Sequence, residues 1–390
     1  MLGTYNAIKE KYMRVLISCG GTGGHINPGL AIADIIKSKY PEAEFLFAGT
    51  PNGMEARLVP KAGYKLETIK VAGFQRKISI ENIGRNAKAL AYLASSGKRA
   101  KEIISNFKPD IAIGTGGYAA GPVIRKAARM GVPTAIHEQN AYPGVTNRLL
   151  SKEVDYVMLT VKEALEFMDK SKFEYSVTGL PVRSGISTKL TKSEARRKLG
   201  FNNDFTILSF GGSLGAGCIN ETMTEAVKWH YGKGLNINHI HGYGGMGKDT
   251  FPKAMKEAGI PLKSGRLRIT EYINDMDVCL AAADLVICRS GASTLAELEA
   301  AGKASILIPS PIVAGNHQYH NAMVLGKAGA AEVIEQKDVT PEKIIYEIEK
   351  LYNSPDKVEI MSESASALHL KDTNSRILAV VEKLLEKTGK

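Results

Sequence analysis

No apolar run in the 390-residue chain approaches the roughly 18 residues that a membrane-spanning helix needs. The opening stretch MLGTYNAIKEKY is too polar for the core of a signal peptide, so the expected location is the cytoplasm. Aromatic residues make up only 7% of the chain, with a single tryptophan. Cysteine is scarce as well. Cys19, Cys218, Cys279 and Cys288 lack metal-ligand spacing, and in a reducing compartment they are expected to be free thiols, mostly in the core. His317 and His320 stand three apart without a third ligand, so no metal is expected. Acidic residues are in deficit, 40 against 51 basic, and the resulting charge of +11 favours anionic partners without choosing among phosphates, nucleic acid and lipid headgroups.

What is present is glycine, placed with a pattern. Val15-Leu16-Ile17-Ser18-Cys19-Gly20-Gly21-Thr22-Gly23-Gly24 is echoed by Thr206-Ile207-Leu208-Ser209-Phe210-Gly211-Gly212-Ser213-Leu214-Gly215. Asp110-Ile111-Ala112-Ile113-Gly114 is echoed by Asp284-Leu285-Val286-Ile287-Cys288, and an amphipathic helical pattern follows each. Short apolar runs such as Phe45–Phe47, Thr134–Ile136 and Ser305–Ile308 alternate with helix-length segments, which predicts βαβ units around buried parallel strands. The fold class is therefore α/β, with two Rossmann-like, doubly wound parallel-sheet domains facing a cleft. A break is expected near Gly179-Leu180-Pro181-Val182-Arg183. The domains are expected over 13–178 and 184–368, with 369–390 a C-terminal helix returning to the first.

Glycine at a strand-to-helix turn lets backbone approach a phosphate, and the helix behind it offers unpaired N–H groups. Two such loops at equivalent places favour a ligand over two bare turns. A dinucleotide oxidoreductase would need an acid at the end of the second strand, where Ala48-Gly49-Thr50 stands. An NTPase is suggested by Gly242-Tyr243-Gly244-Gly245-Met246-Gly247-Lys248, but Asp249 occupies the position of the magnesium-binding hydroxyl, and the match reads as chance. His25 follows the first loop, where a neutral imidazole could take a hydroxyl proton. Thr294-Leu295-Ala296-Glu297 reads as a capping box, the reading that spacing alone favours, although Glu297 at a strand-end loop also suits a carboxylate that accepts from ribose hydroxyls.

Together these motifs become specific. Gly20–His25, Gly114-Thr115-Gly116-Gly117-Tyr118 with Gly121-Pro122, His137-Glu138-Gln139-Asn140, Gly211–Gly215, Ser290–Thr294 with Glu297, and Asn316-His317-Gln318 with Asn321-Ala322 follow the order of one family. From about Met13 to its end the chain closely resembles the MurG family of bacterial peptidoglycan enzymes. These move N-acetylglucosamine from UDP to undecaprenyl-diphosphate-linked N-acetylmuramoyl-pentapeptide, with inversion, on the inner face of the membrane.

The resemblance implies a GT-B fold in which the first domain takes the acceptor and the membrane, and the second the UDP-sugar donor. It places Thr22, Gly23, Gly24 and Asn140 beside the donor's diphosphate and sugar, and puts Arg183 and Ser213 on phosphate. The backbone of Ile273 would meet uracil. Ala292, Ser293, Thr294, Leu295, Ala296 and Glu297 would cradle the nucleotide with Glu297 on the ribose, and Gln318 would bind the sugar hydroxyls. His25 is the candidate base, with Glu138 as second candidate or as an organiser of loop backbone. UDP-N-acetylglucosamine is then a substrate rather than a cofactor, no cofactor is required, and nucleic acid is not a partner. A basic, apolar-studded stretch from Phe74 to Lys108, including Arg76, Lys77, Arg85, Lys88, Lys98, Arg99 and Lys101, fits an anionic bilayer surface, which implies a peripheral protein on the cytoplasmic side. Within the same fold, a transferase acting on another lipid is the alternative; from another class, a nucleotide-binding module without transferase activity.

Overall fold

The computed structural model describes residues 12–71, 95–182, 185, 186 and 190–389. Arg183 and the part of the basic stretch from 72 to 94 lie outside them. The chain forms two compact units. Met1–Pro181 with Asp372–Lys390 makes the first and Val182–Lys371 the second.

Unit 1 holds a seven-stranded parallel sheet of β1 (Arg14–Cys19), β2 (Glu44–Gly49), β3 (Lys65–Thr68), β4 (Ile111–Gly116), β5 (Thr134–Glu138), β6 (Tyr156–Leu159) and β7 (Glu174–Val177). Their spatial order is β3-β2-β1-β4-β5-β6-β7. Unit 2 holds β8 (Phe205–Phe210), β9 (Ile237–Gly242), β10 (Leu267–Thr270), β11 (Leu285–Cys288), β12 (Ala304–Leu307) and β13 (Ala331–Val333), all parallel. Their order β10-β9-β8-β11-β12-β13 repeats that of unit 1 without its last strand. The direction of winding reverses between β1 and β4 and between β8 and β11, the positions at which doubly wound sheets open a crevice beyond their strand ends. The echoed glycine segments fall at these two places.

The central strands are buried along nearly their whole length because both faces of each sheet are covered, whereas the edge strands β3 and β7 are more exposed. Val15 and Ile17 pack on one face with Ile111 and Ile113, whereas Leu16 packs on the other with Ala112 and Ile136. Unit 2 alternates likewise, Ile207, Leu285 and Ile287 on one side and Leu208, Val286 and Cys288 on the other. Each fully buried aliphatic side chain contributes roughly 1.5–3 kcal/mol. The helix Thr373–Glu386 buries Ile377, Val380, Val381, Leu384 and Leu385 against the face that holds Val15 and Ile17. Arg376 donates to the carbonyl of Val177 at 3.1 Å, and Lys387 to Asp155 at 3.0 Å. Cys19, Cys279 and Cys288 are buried, Cys218 is half-buried, and all four are free.

Several histidines sit inside these cores. In unit 2, His230 Nε2 is 3.0 Å from His239 Nδ1, and the Ser209 hydroxyl lies 2.8 Å from both His239 Nε2 and His241 Nδ1. His241 also stacks on Phe251, centroids 4.4 Å apart. Burial pushes His230 down to about 4, His241 to about 3 and His239 well below its ordinary value, and in unit 1 burial pushes His137 to about 4. An unfolded histidine takes a proton below about pH 6.5 that these folded ones refuse. Their stabilisation is complete above that pH and is lost as pH falls toward 4, each histidine contributing up to about 1.4 kcal/mol per pH unit across the window. The urea midpoint should therefore fall steeply between pH 6.5 and 4. A flat midpoint over that range would show that these histidines charge within the fold.

Candidate functional site

In unit 1 the loop after β1 bends at Gly21, whose φ of +88° favours glycine, and Thr22 leads into the helix Gly23–Lys39. That helix has no side-chain cap and no acidic residue in its first turn, which leaves its leading N–H groups open to an anion. The loop after β4 lies directly upon it. A Cβ on Gly117 would fall 2.1 Å from the Gly20 carbonyl oxygen, and one on Gly116 would fall 2.8 Å from His25 Nδ1. Only bare backbone fits at both positions, and at both φ is positive as well.

Beneath this loop lies Glu55, fully buried. One carboxylate oxygen accepts from the Gly21 N–H at 3.1 Å, and the other from the Thr50 N–H at 2.8 Å and the Thr50 hydroxyl at 2.6 Å. Burial works to raise this carboxyl, but the hydrogen bonds from Thr50, Gly21 and its own backbone outweigh it and hold the pKa below the ordinary carboxylate value. Glu55 thus locks the ends of β1 and β2 together.

His25 is half-buried. Its carbonyl accepts from the Thr115 hydroxyl at 2.7 Å, and its Nδ1 lies 3.1 Å from Gln139 Oε1. Thr115 falls where the β1–β4 register shifts, between the pairs Ser18–Gly114 and Cys19–Gly116. That irregularity carries its side chain to the start of the helix.

Glu138 is 1% exposed and its carboxylate serves the loop that follows β5. One oxygen accepts from Asn140 N and Nδ2 at 2.9 and 3.1 Å, and the other from Gly144 N and Asn147 Nδ2 at 3.0 and 2.9 Å. Four donors on a buried carboxylate make it an organiser of backbone, the second of the two roles the sequence left open. They also fix where Asn140 stands.

Unit 2 rebuilds the same device. Gly212 and Gly215 take φ of +92° and +83°, and the helix Gly217–Gly232 begins without a side-chain cap or an acidic first turn. Ser213 is exposed on this loop. The Walker-like run is explained by packing: a Cβ on Gly244 would meet Gly215 N at 2.2 Å, and one on Gly247 would meet the Asn220 amide at 2.4 Å. Asn220 in turn donates to the carbonyl of Tyr243 at 2.9 Å. These glycines let β9's exit pack against the second glycine loop.

At the end of β11 the helix is Ala292–Ala301 with Gly291 as its N-cap. Thr294 is therefore inside the helix, and the capping-box reading of Thr294–Glu297 is corrected: the boundary lies three residues earlier because Gly291 supplies the extended residue that starts it. Leu295 and Ala296 are buried, whereas Ala292, Ser293, Thr294 and Glu297 are half-buried. The Ser290 hydroxyl donates to the Gln318 carbonyl at 2.8 Å, Gln318 Oε1 accepts from Ser310 N at 2.9 Å, and Asn321 donates to the Ser290 carbonyl at 3.2 Å. Gln318 is thereby brought to the β11 exit that carries Glu297. The Ile273 side chain is buried against Gly242.

Sequence reasoning missed Glu55, Thr115 and Arg289. Arg289 donates to the carbonyls of Ile308 and Pro309 at 3.0 and 3.2 Å and to Gln336 at 2.6 Å, tying the exits of β11 and β12 together. No group of three or more metal-ligating side chains occurs among the described residues.

Comparison with known proteins shows the family and the fold. Models of the glycosyltransferase family 28 N-terminal and C-terminal domains match residues 15–159 and 206–377. A UDP-N-acetylglucosamine–N-acetylmuramyl-(pentapeptide) pyrophosphoryl-undecaprenol N-acetylglucosamine transferase from Acetivibrio thermocellus is 44% identical over 376 residues, spanning 96% of this chain and 99% of its own. The protein of that name from Desulforamulus reducens is 43% identical over 375 residues, with coverage of 96% and 99%. The crystal structure of Acinetobacter baumannii MurG matches with a TM-score of 0.76 at 27% identity, covering 95% of this chain and 99% of that one. A Staphylococcus aureus MnaA–UDP structure matches at 0.65 with 13% identity over 97% and 98%, a likeness of fold alone.

Glu55→Ala would strand the N–H groups of Gly21 and Thr50 and open a cavity under the loop, for a loss of about 2–4 kcal/mol. Thermal unfolding should report this as a clear drop in Tm. An unchanged Tm would show that the first glycine loop does not depend on the buried carboxylate.

Proposed function

The chain belongs to glycosyltransferase family 28, within it to the UDP-N-acetylglucosamine–N-acetylmuramyl-(pentapeptide) pyrophosphoryl-undecaprenol N-acetylglucosamine transferases, and from that membership we propose how its residues divide the reaction. The enzyme moves N-acetylglucosamine from UDP to the lipid-linked N-acetylmuramoyl-pentapeptide, converting lipid I to lipid II in peptidoglycan synthesis. Unit 2 is the donor unit. Ile273 meets the uracil through its backbone, Ala292 to Glu297 cradle the nucleotide with Glu297 on the ribose, Ser213 and Arg183 hold phosphate, and Gln318 reads the sugar hydroxyls.

Unit 1 is the acceptor unit, with Thr22, Gly23, Gly24 and Asn140 toward the donor's diphosphate and sugar. His25 is the general base. The observation that carries this role is its seat: the ring lies on Gly116 at the open end of β1 and is hydrogen-bonded through Nδ1, and no bond among the described residues engages Nε2. The 4-hydroxyl of the acceptor attacks the anomeric carbon as its proton passes to Nε2. The bond to UDP breaks with its electron pair leaving on the phosphate oxygen, so an α-linked donor gives a β-1,4 product. Glycine-loop N–H groups neutralise the charge that develops on the departing diphosphate.

Among the described residues no helix is long and apolar enough to cross a membrane. Peripheral contact of unit 1 with an anionic bilayer on the cytoplasmic side, through the basic stretch between Phe74 and Lys108, is part of the same reading. Lys98, Arg99 and Lys101, within the helical residues 95–107, and Lys108 just after them are its described basic members.

Release of UDP from UDP-N-acetylglucosamine by purified protein given the lipid acceptor tests this assignment. His25→Ala should lower kcat by about 10²–10⁴ with little change in donor KM, the worth of a general base. Glu297→Ala should chiefly raise donor KM. Undiminished turnover in His25→Ala would remove it as base, and donor binding without UDP release would favour a nucleotide-binding module. Preference for UDP-glucose with diacylglycerol would overturn the substrate assignment.

A further inference from the structure

His25 is one end of a buried hydrogen-bonded chain whose proton positions can be worked out from its other end. His137 Nε2 lies 3.0 Å from the carbonyl oxygen of Gly179, which can only accept, so that nitrogen carries the hydrogen and Nδ1 carries the lone pair. Gln139 Nε2 lies 2.8 Å from the carbonyl oxygen of His137 and 3.2 Å from His137 Nδ1. Both are acceptors, so the group facing them is the amide nitrogen with its two hydrogens. The reverse orientation would set the amide oxygen against a carbonyl oxygen and a ring lone pair. Gln139 Oε1 therefore faces His25, and the hydrogen between them sits on His25 Nδ1 at 3.1 Å.

We propose that Gln139 is a positioning residue that holds the His25 imidazole in its Nδ1–H tautomer, so that Nε2 presents a lone pair to the acceptor hydroxyl. In a neutral imidazole only one nitrogen can accept, and which one is decided by the partner of the other. Three features keep the assignment in place. Gln139 and His137 are 3% and 0% exposed, so water does not compete for the amide. Burial keeps His137 neutral until about pH 4, so its Nδ1 remains an acceptor. The His25 ring is seated on Gly116, and its backbone is gripped by Thr115, so the ring cannot turn away from Gln139 without leaving that seat.

The inference deepens the reading of His25 as base and rests on it, and one pair of measurements separates the two. The full chain labelled with ¹⁵N-histidine carries eight histidines, and His25→Gln identifies the His25 signals by subtraction. At a pH where the ring is neutral, the wild type should show His25 protonated on Nδ1. In Gln139→Leu, which removes both the acceptor and the donors at similar volume, the hydrogen should move toward Nε2. Turnover should fall about 10- to 100-fold, less than the full effect of roughly 10²–10⁴ of losing a general base, while KM for UDP-N-acetylglucosamine changes by less than about twofold. Should Gln139→Leu fail to fold, Gln139→Met, with an unbranched side chain, carries the same two readouts. An Nδ1–H signal that persists without Gln139 overturns the proposal, as does an unchanged kcat with a moved hydrogen. If instead the hydrogen moves as expected but His25→Ala retains turnover, the base reading fails while the tautomer assignment stands.

Discussion

The contact on which the site in unit 1 depends is backbone laid on backbone where the sheet reverses its winding. Gly117 rests on the carbonyl of Gly20 with no room for a Cβ; in unit 2 an equally close approach, Gly244 on Gly215, joins the exits of β8 and β9 rather than the two strands between which the winding reverses. In each case loops from adjacent strand exits are pressed together, and helix N-termini without acidic first turns stand beside them. Close approach of this kind is what a chain needs if it is to present N–H groups, rather than side chains, to a diphosphate. A side chain at Gly117 would separate the loops and carry His25 away from the end of β1.

A second constraint follows from the first. Loops made of glycine have little packing of their own, so buried or half-buried polar side chains hold the strand exits. Glu55 fixes the first loop, Glu138 fixes the loop that carries Asn140, and Arg289 joins the exits of β11 and β12. A buried carboxylate is tolerable only when its oxygens are satisfied, and three or four donors surround each of these. The buried histidines obey the same rule in neutral form. Polar groups that stabilise unit 1 thus also set the orientation of His25 and Asn140 at the strand ends.

The architecture was legible because its signal is local. The two glycine echoes marked β1 and β8 at equivalent places, and the runs at Ile111 and Leu285 marked the strands beside them, so the doubled order of parts could be read directly. Boundaries were less secure: Thr294 and Glu297 have the spacing of a capping box, but Gly291 had already opened the helix. The Walker-like run, a chance match by its Asp249, has a packing reason for its glycines, since Gly244 and Gly247 leave room for Gly215 and Asn220. Glu55 and Gln139 could not be interpreted from sequence, because Gly21 and His25, the partners that tie them to the first glycine loop and its helix, lie 34 and 114 residues away along the chain. Family resemblance supplied the donor residues, which composition and spacing alone do not distinguish.

The central claim is that the paired strand-end loops are where the sugar nucleotide lies. A crystal structure of the protein soaked with UDP-N-acetylglucosamine tests it most directly. The account predicts uracil against the Ile273 backbone, the ribose hydroxyls on Glu297 and the diphosphate at the Gly211–Gly215 loop. A nucleotide bound away from the exits of β8 and β11 would contradict it.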